Sequence, residues 1–403
     1  MRILVFSQYF TPEITASAVR LHPLVVGLAQ RGHDVEVICE VPNHPRGIVE
    51  PGYRGSLVQR RALDGFDISY VWVRAGPSKS TWNRIASYAS YALMAAAVGS
   101  VRGRPDIVFA SSPPLSVGAT AALVAARYRV PWILDVRDIW PDVAVTLGEV
   151  SDPRLVALIS RLERRLYRSA TRIVTVTEPF RADIAARVAD RSKVELIPNG
   201  TTRAWLELGA QAIDRAGAGL PEGRFVWAYA GNLGLSHGLE VAIEAARRLG
   251  EEFHLLVIGD GPRRQILEEN AAGLVPETVS FRPAMEPSGV ARVLRACDAL
   301  LVIQRADLPK VVSSKLFDCC ALGRPVISVA EGEMQRLVSE AGAALTVPAG
   351  DPGALAAAVE RLRDDPSLGD RLVSGGRDFA AAYLREDHAV QLARVLESAV
   401  EGS

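Results

Sequence analysis

Residues 225–231, FVWAYAG, restart a rhythm that the first half of the chain has already run through once. A short apolar run ends on Gly231, Asn232-Leu233-Gly234 follow, and a helix-period stretch opens near His237-Gly238. Upstream lie ILVFS (3–7), VEVIC (35–39), ISYVWV (68–73), DIVFAS (106–111), WILDV (132–136), RIVTVT (172–177) and VELIP (194–198), with helix-period segments between them. Downstream come HLLVIGDG (254–261), TVSFRP (278–283), ALLVIQ (299–304), PVISVA (325–330) and ALTVPA (344–349). Continuous apolar strands alternating with helices imply parallel sheets covered on both faces. The intervening stretch from Pro198-Asn199-Gly200 to Pro221-Glu222-Gly223 is polar and rich in Gly and Ala. The fold class is therefore α/β, with two doubly wound Rossmann-like domains, 1–200 and 201–375. A helical segment, 376–403, follows a hinge expected at Gly375-Gly376.

Composition narrows the class further. The 403 residues are 49% hydrophobic and 23% charged, with 46 basic residues balancing 46 acidic ones. Such a chain is neither disordered nor fibrous, because it has the apolar material for two cores and no large net charge. Cys39, Cys297, Cys319 and Cys320 have neither metal-ligand nor CxxC spacing and read as buried thiols of a reducing cytoplasm. The opening MRILVFSQYF reads as a first strand and not as a signal peptide. Residues 85–101, IASYASYALMAAAVGSV, carry no charge but are short for a bilayer span, so a buried or membrane-surface helix is expected. Residues 1–200 hold 25 Lys and Arg against 18 Asp and Glu, and residues 201–403 reverse that excess. A basic first half suits an anionic partner or lipid headgroups.

In open parallel sheets ligands bind outside the carboxyl ends of the strands, so the residues just after each strand carry the functional candidates. The loop after the first strand, SQYFTPEITAS (7–17), lacks GxGxxG, which disfavours a dinucleotide-dependent oxidoreductase; Ala16 and Ser17 still leave room for a ligand there. The turn Gly231-Asn232-Leu233-Gly234 offers backbone amides to an anion. Gly259-Asp260-Gly261-Pro262 is a tight turn. The densest set is PKVVSSKLFD (309–318), where two of only four lysines, Lys310 and Lys315, fall within six residues. Ser313 or Ser314 suits a helix N-cap there, free N–H groups follow, and Lys315 projects from the first turn, an arrangement able to hold a diphosphate. Arg282, ending the strand 278–283, joins the donor-side candidates. In the first half, Arg137 and Asp138 follow WILDV, where a carboxylate could position or deprotonate an acceptor hydroxyl. An Arg137–Asp142 surface pair is the plainer alternative. Asn43 lies in the strand-end loop PNHPRG (42–47).

In this order the loops YFTPEITASAVR, LAQRGHDVEVI, VPNHPRG, SSPP, DVRDIWPD, TEPF, IPNG, AGNLG, VIGDGP and SSKLFDCCALGRPVI resemble retaining GT-B glycosyltransferases of the family-4 type. The resemblance is nearest to the fucosamine-transferase-like enzymes of bacterial surface polysaccharides. It implies two lobes facing a central cleft, with the nucleotide-sugar donor held by the second and the acceptor, lipid-linked or a glycan, by the first. Transfer would retain the anomeric configuration, with no metal and no cofactor beyond the NDP-sugar substrate, of UDP-N-acetylhexosamine type. Gly231, Asn232 and Gly234 would border the phosphates, Ser314 and Lys315 the diphosphate, and Asp318 the ribose. Asp138, with Lys315 and Lys310, would serve the reaction centre, and Ala16, Ser17, Asn43 and Arg137 the acceptor. The chain departs from the family at the first member of its E-x7-E pair, which falls on Lys310, the second falling on Asp318. The Arg and Lys of many relatives after the glycine turn are here Asn232 and His237. The resemblance also implies a terminal helix crossing back to the first domain, a cytoplasmic site of action and peripheral contact with the inner membrane face. A nucleotide-sugar epimerase or hydrolase, or a silent sugar-nucleotide binder, are the alternatives within the same fold.

Overall fold

A computed structural model of the chain describes residues 1–44, 46–76, 81–211 and 214–402. It divides into two compact units, Met1–Pro198 with Arg385–Ser403, and Asn199–Leu384.

The first unit runs β1 (Arg2–Ser7), α1 (Ala16–Gln30), β2 (Asp34–Glu40), β3 (Val58–Leu63), β4 (Phe66–Val71), α2 (Thr81–Ser100) and β5 (Ile107–Ser112). It continues through α3 (Leu115–Tyr128), β6 (Trp132–Val136), α4 (Asp142–Thr146), α5 (Pro153–Ser169), β7 (Arg172–Thr175), α6 (Glu178–Ala186) and β8 (Val194–Leu196). The sheet order is β3-β4-β2-β1-β5-β6-β7-β8, parallel throughout except for the antiparallel edge strand β3. β3 was not expected from the sequence, because the polar run Gln59-Arg60-Arg61 in VQRRAL interrupts the apolar stretch by which the other strands were recognised. Its hairpin turn, Asp64-Gly65, has both residues at positive φ, 50° and 87°, as a two-residue turn of the twisted type requires.

The second unit runs α7 (Arg203–Ala210), β9 (Phe225–Ala230), α8 (Glu240–Arg248), β10 (Phe253–Ile258), α9 (Arg264–Asn270), β11 (Val279–Arg282) and α10 (Pro287–Ala296). After these come β12 (Ala299–Ile303), α11 (Ser314–Ala321), β13 (Val326–Val329), α12 (Glu333–Ala341), β14 (Leu345–Val347), α13 (Pro352–Asp364) and α14 (Pro366–Ala381). Its six strands are all parallel, in the order β11-β10-β9-β12-β13-β14. Buried residues on the two faces form separate clusters, one around Phe317 and Leu316 and the other around Trp227 and Tyr229, so the sheet is covered on both sides. The division does not fall at Gly375-Gly376, because α14 passes through both glycines unbroken and the chain leaves the unit only at Leu384. α15 (Arg385–Glu401) then packs along α1, burying His388, Ala389, Leu392 and Leu396.

In both sheets the first strand of the series lies inside, and the chain winds outward from it in both directions. The switch points therefore fall between β1 and β5 and between β9 and β12.

Candidate functional site

At the β9/β12 switch point the chain leaves β9 through Gly231, whose φ is +144°. A Cβ there would overlap Lys315 Cε, so glycine is needed both for the backbone and for the lysine's passage. Gly259, with φ +146°, lets the turn after β10 close on the Gly231 carbonyl in the same way. Lys315 is half-buried in the first turn of α11, and its Nζ lies 3.1 Å from His237 Nε2 and 5.4 Å from the centroid of the Tyr229 ring. The Tyr229 hydroxyl donates to the Asn232 carbonyl (2.8 Å), which fixes the turn below the ring. Burial lowers the Lys315 pKa to about 8. Burial first, and then the Lys315 charge, lower that of His237 to about 3, so the imidazole is neutral and its Nε2 accepts from the ammonium. A hydrogen bond to the Ile303 backbone holds the ring from β12. The result is an ammonium at a switch point, steadied by a neutral acceptor and an aromatic face, beside an open glycine turn. That arrangement suits an anion.

The other second-unit candidates separate into those near this cluster and those away from it. Ser314 opens α11 and is half-buried, and Asp318 lies one turn further along the same helix. Ser313 occupies the N-cap position without a capping side-chain bond. Asn232 and Gly234 lie on the turn itself, but α8 begins at Glu240 and not at His237-Gly238, because Gly238 has φ +64° and interrupts helical backbone. Lys310 is exposed in the loop before α11. Arg282 stands at the end of edge strand β11, two strands from β9, and donates to the carbonyls of Ala218 (2.9 Å) and Gly219 (2.6 Å). It latches the 218–219 turn and does not reach the Lys315 cluster.

The first unit collects carboxylates at the corresponding strand ends. Glu13 Oε1 accepts from the backbone N–H groups of Asn43 (2.6 Å) and His44 (2.7 Å). Glu40 accepts from Gln8 Nε2 (2.7 Å) and Asn43 Nδ2 (2.7 Å). Burial raises Glu13 to about 7, and burial with the neighbouring Glu13 raises Glu40 to about 8. Asn43 thus ties the two acids together. Ser17 lies at the start of α1 with its hydroxyl 3.1 Å from that of Ser7, and Thr15 caps the helix by accepting from Ala18 N–H (3.1 Å), so Ala16 is the first helical residue. Asp138 follows β6 half-buried; burial raises its pKa to about 6, and Arg137 opposes the shift. Arg137 is not paired with Asp142, which bonds Arg187 (2.8 Å). It donates instead to Ser111 Oγ (3.1 Å) and the Pro113 carbonyl (3.3 Å), fastening the end of β5. Beneath it Asp135 is fully buried, accepting from Ser111 Oγ (2.9 Å) and from Arg20 Nη2 (3.2 Å).

Sequence reading passed over Glu13, Glu40 and Tyr229. The signals were present: Glu13 stands in the loop after β1, and Glu40 is the acid at the carboxyl end of β2, directly after the apolar Val37-Ile38-Cys39. Tyr229 looked like one more strand residue.

Two family models match the chain. The Glycosyl transferase 4-like domain covers residues 15–200, and Glycosyl transferases group 1 covers residues 224–365. WcaI of Escherichia coli K12, described as a colanic acid biosynthesis glycosyl transferase, is 26% identical over 82% of this chain and 84% of its own length. The glycosyltransferase WbjE of Pseudomonas aeruginosa is 27% identical over 64% of this chain, which spans 66% of that relative. Among solved structures, sucrose-phosphate synthase from Thermosynechococcus elongatus superposes with a TM-score of 0.77 at 19% identity, covering 100% of both chains. Anabaena HepE, solved with UDP and glucose, gives 0.74 at 14% identity over 99% of this chain and 100% of its own. With a glycosyltransferase model on each unit and the fold of these enzymes along its whole length, the chain belongs to the two-domain GT-B glycosyltransferases of the family-4 type.

Proposed function

We propose that this protein transfers a sugar from a nucleoside-diphosphate donor, of UDP-N-acetylhexosamine type, to a lipid-linked or glycan acceptor, with retention and without a metal ion. The setting is bacterial surface-polysaccharide synthesis on the cytoplasmic side of the membrane, in keeping with what WcaI is described as doing. The observation that carries the reading is Lys315 Nζ at the β9/β12 switch point, beside a turn where Gly231 leaves the backbone open. The transferred sugar leaves a diphosphate that gains charge as the glycosidic bond breaks. A preorganised ammonium and main-chain N–H groups are suited to stabilising that charge.

In the same reading Ser314 joins Lys315 at the diphosphate, Asp318 takes the ribose hydroxyls, and Gly231, Asn232 and Gly234 line the phosphates. Lys310, in the place of the family's first acid, helps Lys315 to neutralise the leaving diphosphate. On the acceptor side, Asp138 positions the attacking hydroxyl or takes its proton, and Ala16, Ser17, Asn43 and Arg137 shape the surroundings. The test is turnover across a panel of NDP-sugars and acceptors, with product stereochemistry by NMR and with Lys315→Ala as control. Equal product from wild type and Lys315→Ala removes the mechanism. Release of free or epimerised sugar without any acceptor assigns the fold a different reaction, and undiminished turnover in chelator is expected.

A further inference from the structure

The carboxyl ends of β1 and β2 hold a cluster that the donor chemistry leaves unused. Glu13 (8% exposed) and Glu40 (3%) are bridged by Asn43, whose backbone N–H reaches the first acid and whose side-chain amide reaches the second. Among the described residues no lysine, arginine or histidine forms an ion pair with either acid, and burial holds both carboxyls above their ordinary range. Buried acids normally keep their charge by pairing with a cation, and this pair lacks one. A second, independent feature lies beside them. Gln8 is fully buried, donates from Nε2 to Glu40 Oε2 (2.7 Å) and leaves its Oε1 without a hydrogen bond. Because the amide is planar and its nitrogen rests on Glu40, that oxygen sits beside the same carboxyl. A buried carbonyl without a donor is costly until a ligand supplies one. The donors of the cluster are already spent. Asn43 Nδ2 goes to Glu40 Oε1 (2.7 Å) and the Val41 carbonyl (2.9 Å), and the Tyr9 hydroxyl is hydrogen-bonded to that of Tyr88. Acceptors remain: Gln8 Oε1 and the Glu13 oxygen that faces no backbone N–H. Tyr9, Asn43 and Tyr88 are half-buried and His44 is exposed, so the cluster reaches the surface.

We propose that Glu13, Glu40 and Gln8 hold a primary ammonium group of the acceptor, so that the accepting residue is an amino sugar with its amine free. An ammonium carries one positive charge, three donors and no lone pair, which is what two acids without a cation and an unpartnered carbonyl ask for. A hydroxyl offers one donor and sets its own lone pairs against these oxygens, and an N-acetyl group brings no charge. The tyrosine rings of residues 9 and 88 add faces that suit a cation and the C–H side of a sugar. A divalent cation needs more ligands than two carboxylates, and among the described residues no three metal-ligating side chains gather. The amine serves as an anchor and takes no part in bond formation. The inference rests on the reading that the first unit binds the acceptor, and is independent of which donor sugar is transferred.

The experiment measures binding of methyl glucosaminide and methyl galactosaminide to the full chain at neutral pH, by calorimetry and ligand-observed NMR. Each is set against its N-acetyl form and the parent hexoside. The free amines are expected to bind about tenfold or more tightly than either neutral form. Glu13→Gln and Glu40→Gln should each narrow that preference and the double variant abolish it. Gln8→Met, which removes the unpartnered oxygen and leaves both acids, should weaken the amines alone. Circular dichroism and an unchanged affinity for UDP check that each variant is folded. Equal binding of amine and acetylated forms, no binding of either amine, or a preference that survives the double variant overturns the proposal. So does displacement of the amines by Mg2+ or Ca2+, for the cluster would then be a metal site. Amine binding without sugar transfer to any acceptor keeps this site and removes the transferase reading. Transfer to neutral acceptors with the kcat/KM of the amines does the reverse.

Discussion

The two sheets share one architecture but arm their strand ends oppositely. At the ends of β9 and β12 the second unit sets one half-buried amine against a neutral imidazole and an aromatic ring, with glycines clearing the space. At the ends of β1, β2 and β6 the first unit sets Glu13, Glu40 and Asp138, all with pKa values raised by burial. Burial works on both units in the same direction, towards the neutral form, and so brings an amine down and carboxyls up until both titrate near neutrality. The same doubly wound strand order around the switch point thus prepares one unit for an anion and the other for hydroxyl or proton chemistry. The fold supplies position, and the side chains supply the difference.

The largest expected effect breaks the comparison on the first side. Asp135→Ala removes the carboxylate from a buried Arg20, and it should cost ~3–5 kcal/mol in thermal or urea unfolding of the first unit. A melting temperature equal to wild type would show that Arg20 is satisfied by the Ile197 and Pro198 carbonyls alone. Next, Lys315→Ala should lose ~2–4 kcal/mol of transition-state stabilisation, read as a hundredfold or greater fall in kcat/KM at little cost in stability. Gly231→Ala tests whether the open turn matters apart from the charge. A strained backbone of ~1–3 kcal/mol together with displacement of Lys315 should raise the donor KM and lower the melting temperature.

The finest test is the pH profile of kcat/KM, which reports the free enzyme. Asp138 is expected to act ionised and Lys315 protonated, so activity should rise through pH about 6 and fall through pH about 8. Lys315→Arg should remove the alkaline limb, because a guanidinium stays charged, and Asp138→Asn should remove the acid limb. Limbs that survive both substitutions would mean that other groups set the profile.

Much of the fold was legible because its signal is local. FVWAYA coincides with β9 residue for residue, since a strand buried on both faces is continuously apolar, and WILDV coincides with β6, whose one polar residue, Asp135, is buried against Arg20. β3 escaped that criterion because an edge strand is half-exposed, although Asp64-Gly65 announced its hairpin. The glycines at 375 and 376 suggested a hinge, but they lie inside α14, where small residues allow a close approach: a Cβ on Gly375 would press on the Gly342 carbonyl. The site was legible in part. Lys315 was singled out by its place after a strand and at a helix start, whereas Arg282, equally at a strand end, is used up by the carbonyls of residues 218 and 219.

What the sequence by itself determined is the order and kind of the elements, the two doubly wound units and the family. These follow from periodicity and from residues close together in the chain. Only the tertiary structure decided that Lys315 meets His237 across 78 positions and that Glu13 and Glu40 share Asn43. The physical reason is that a group's charge state and partner depend on what the sheet brings beside it, and distance along the chain carries no record of that.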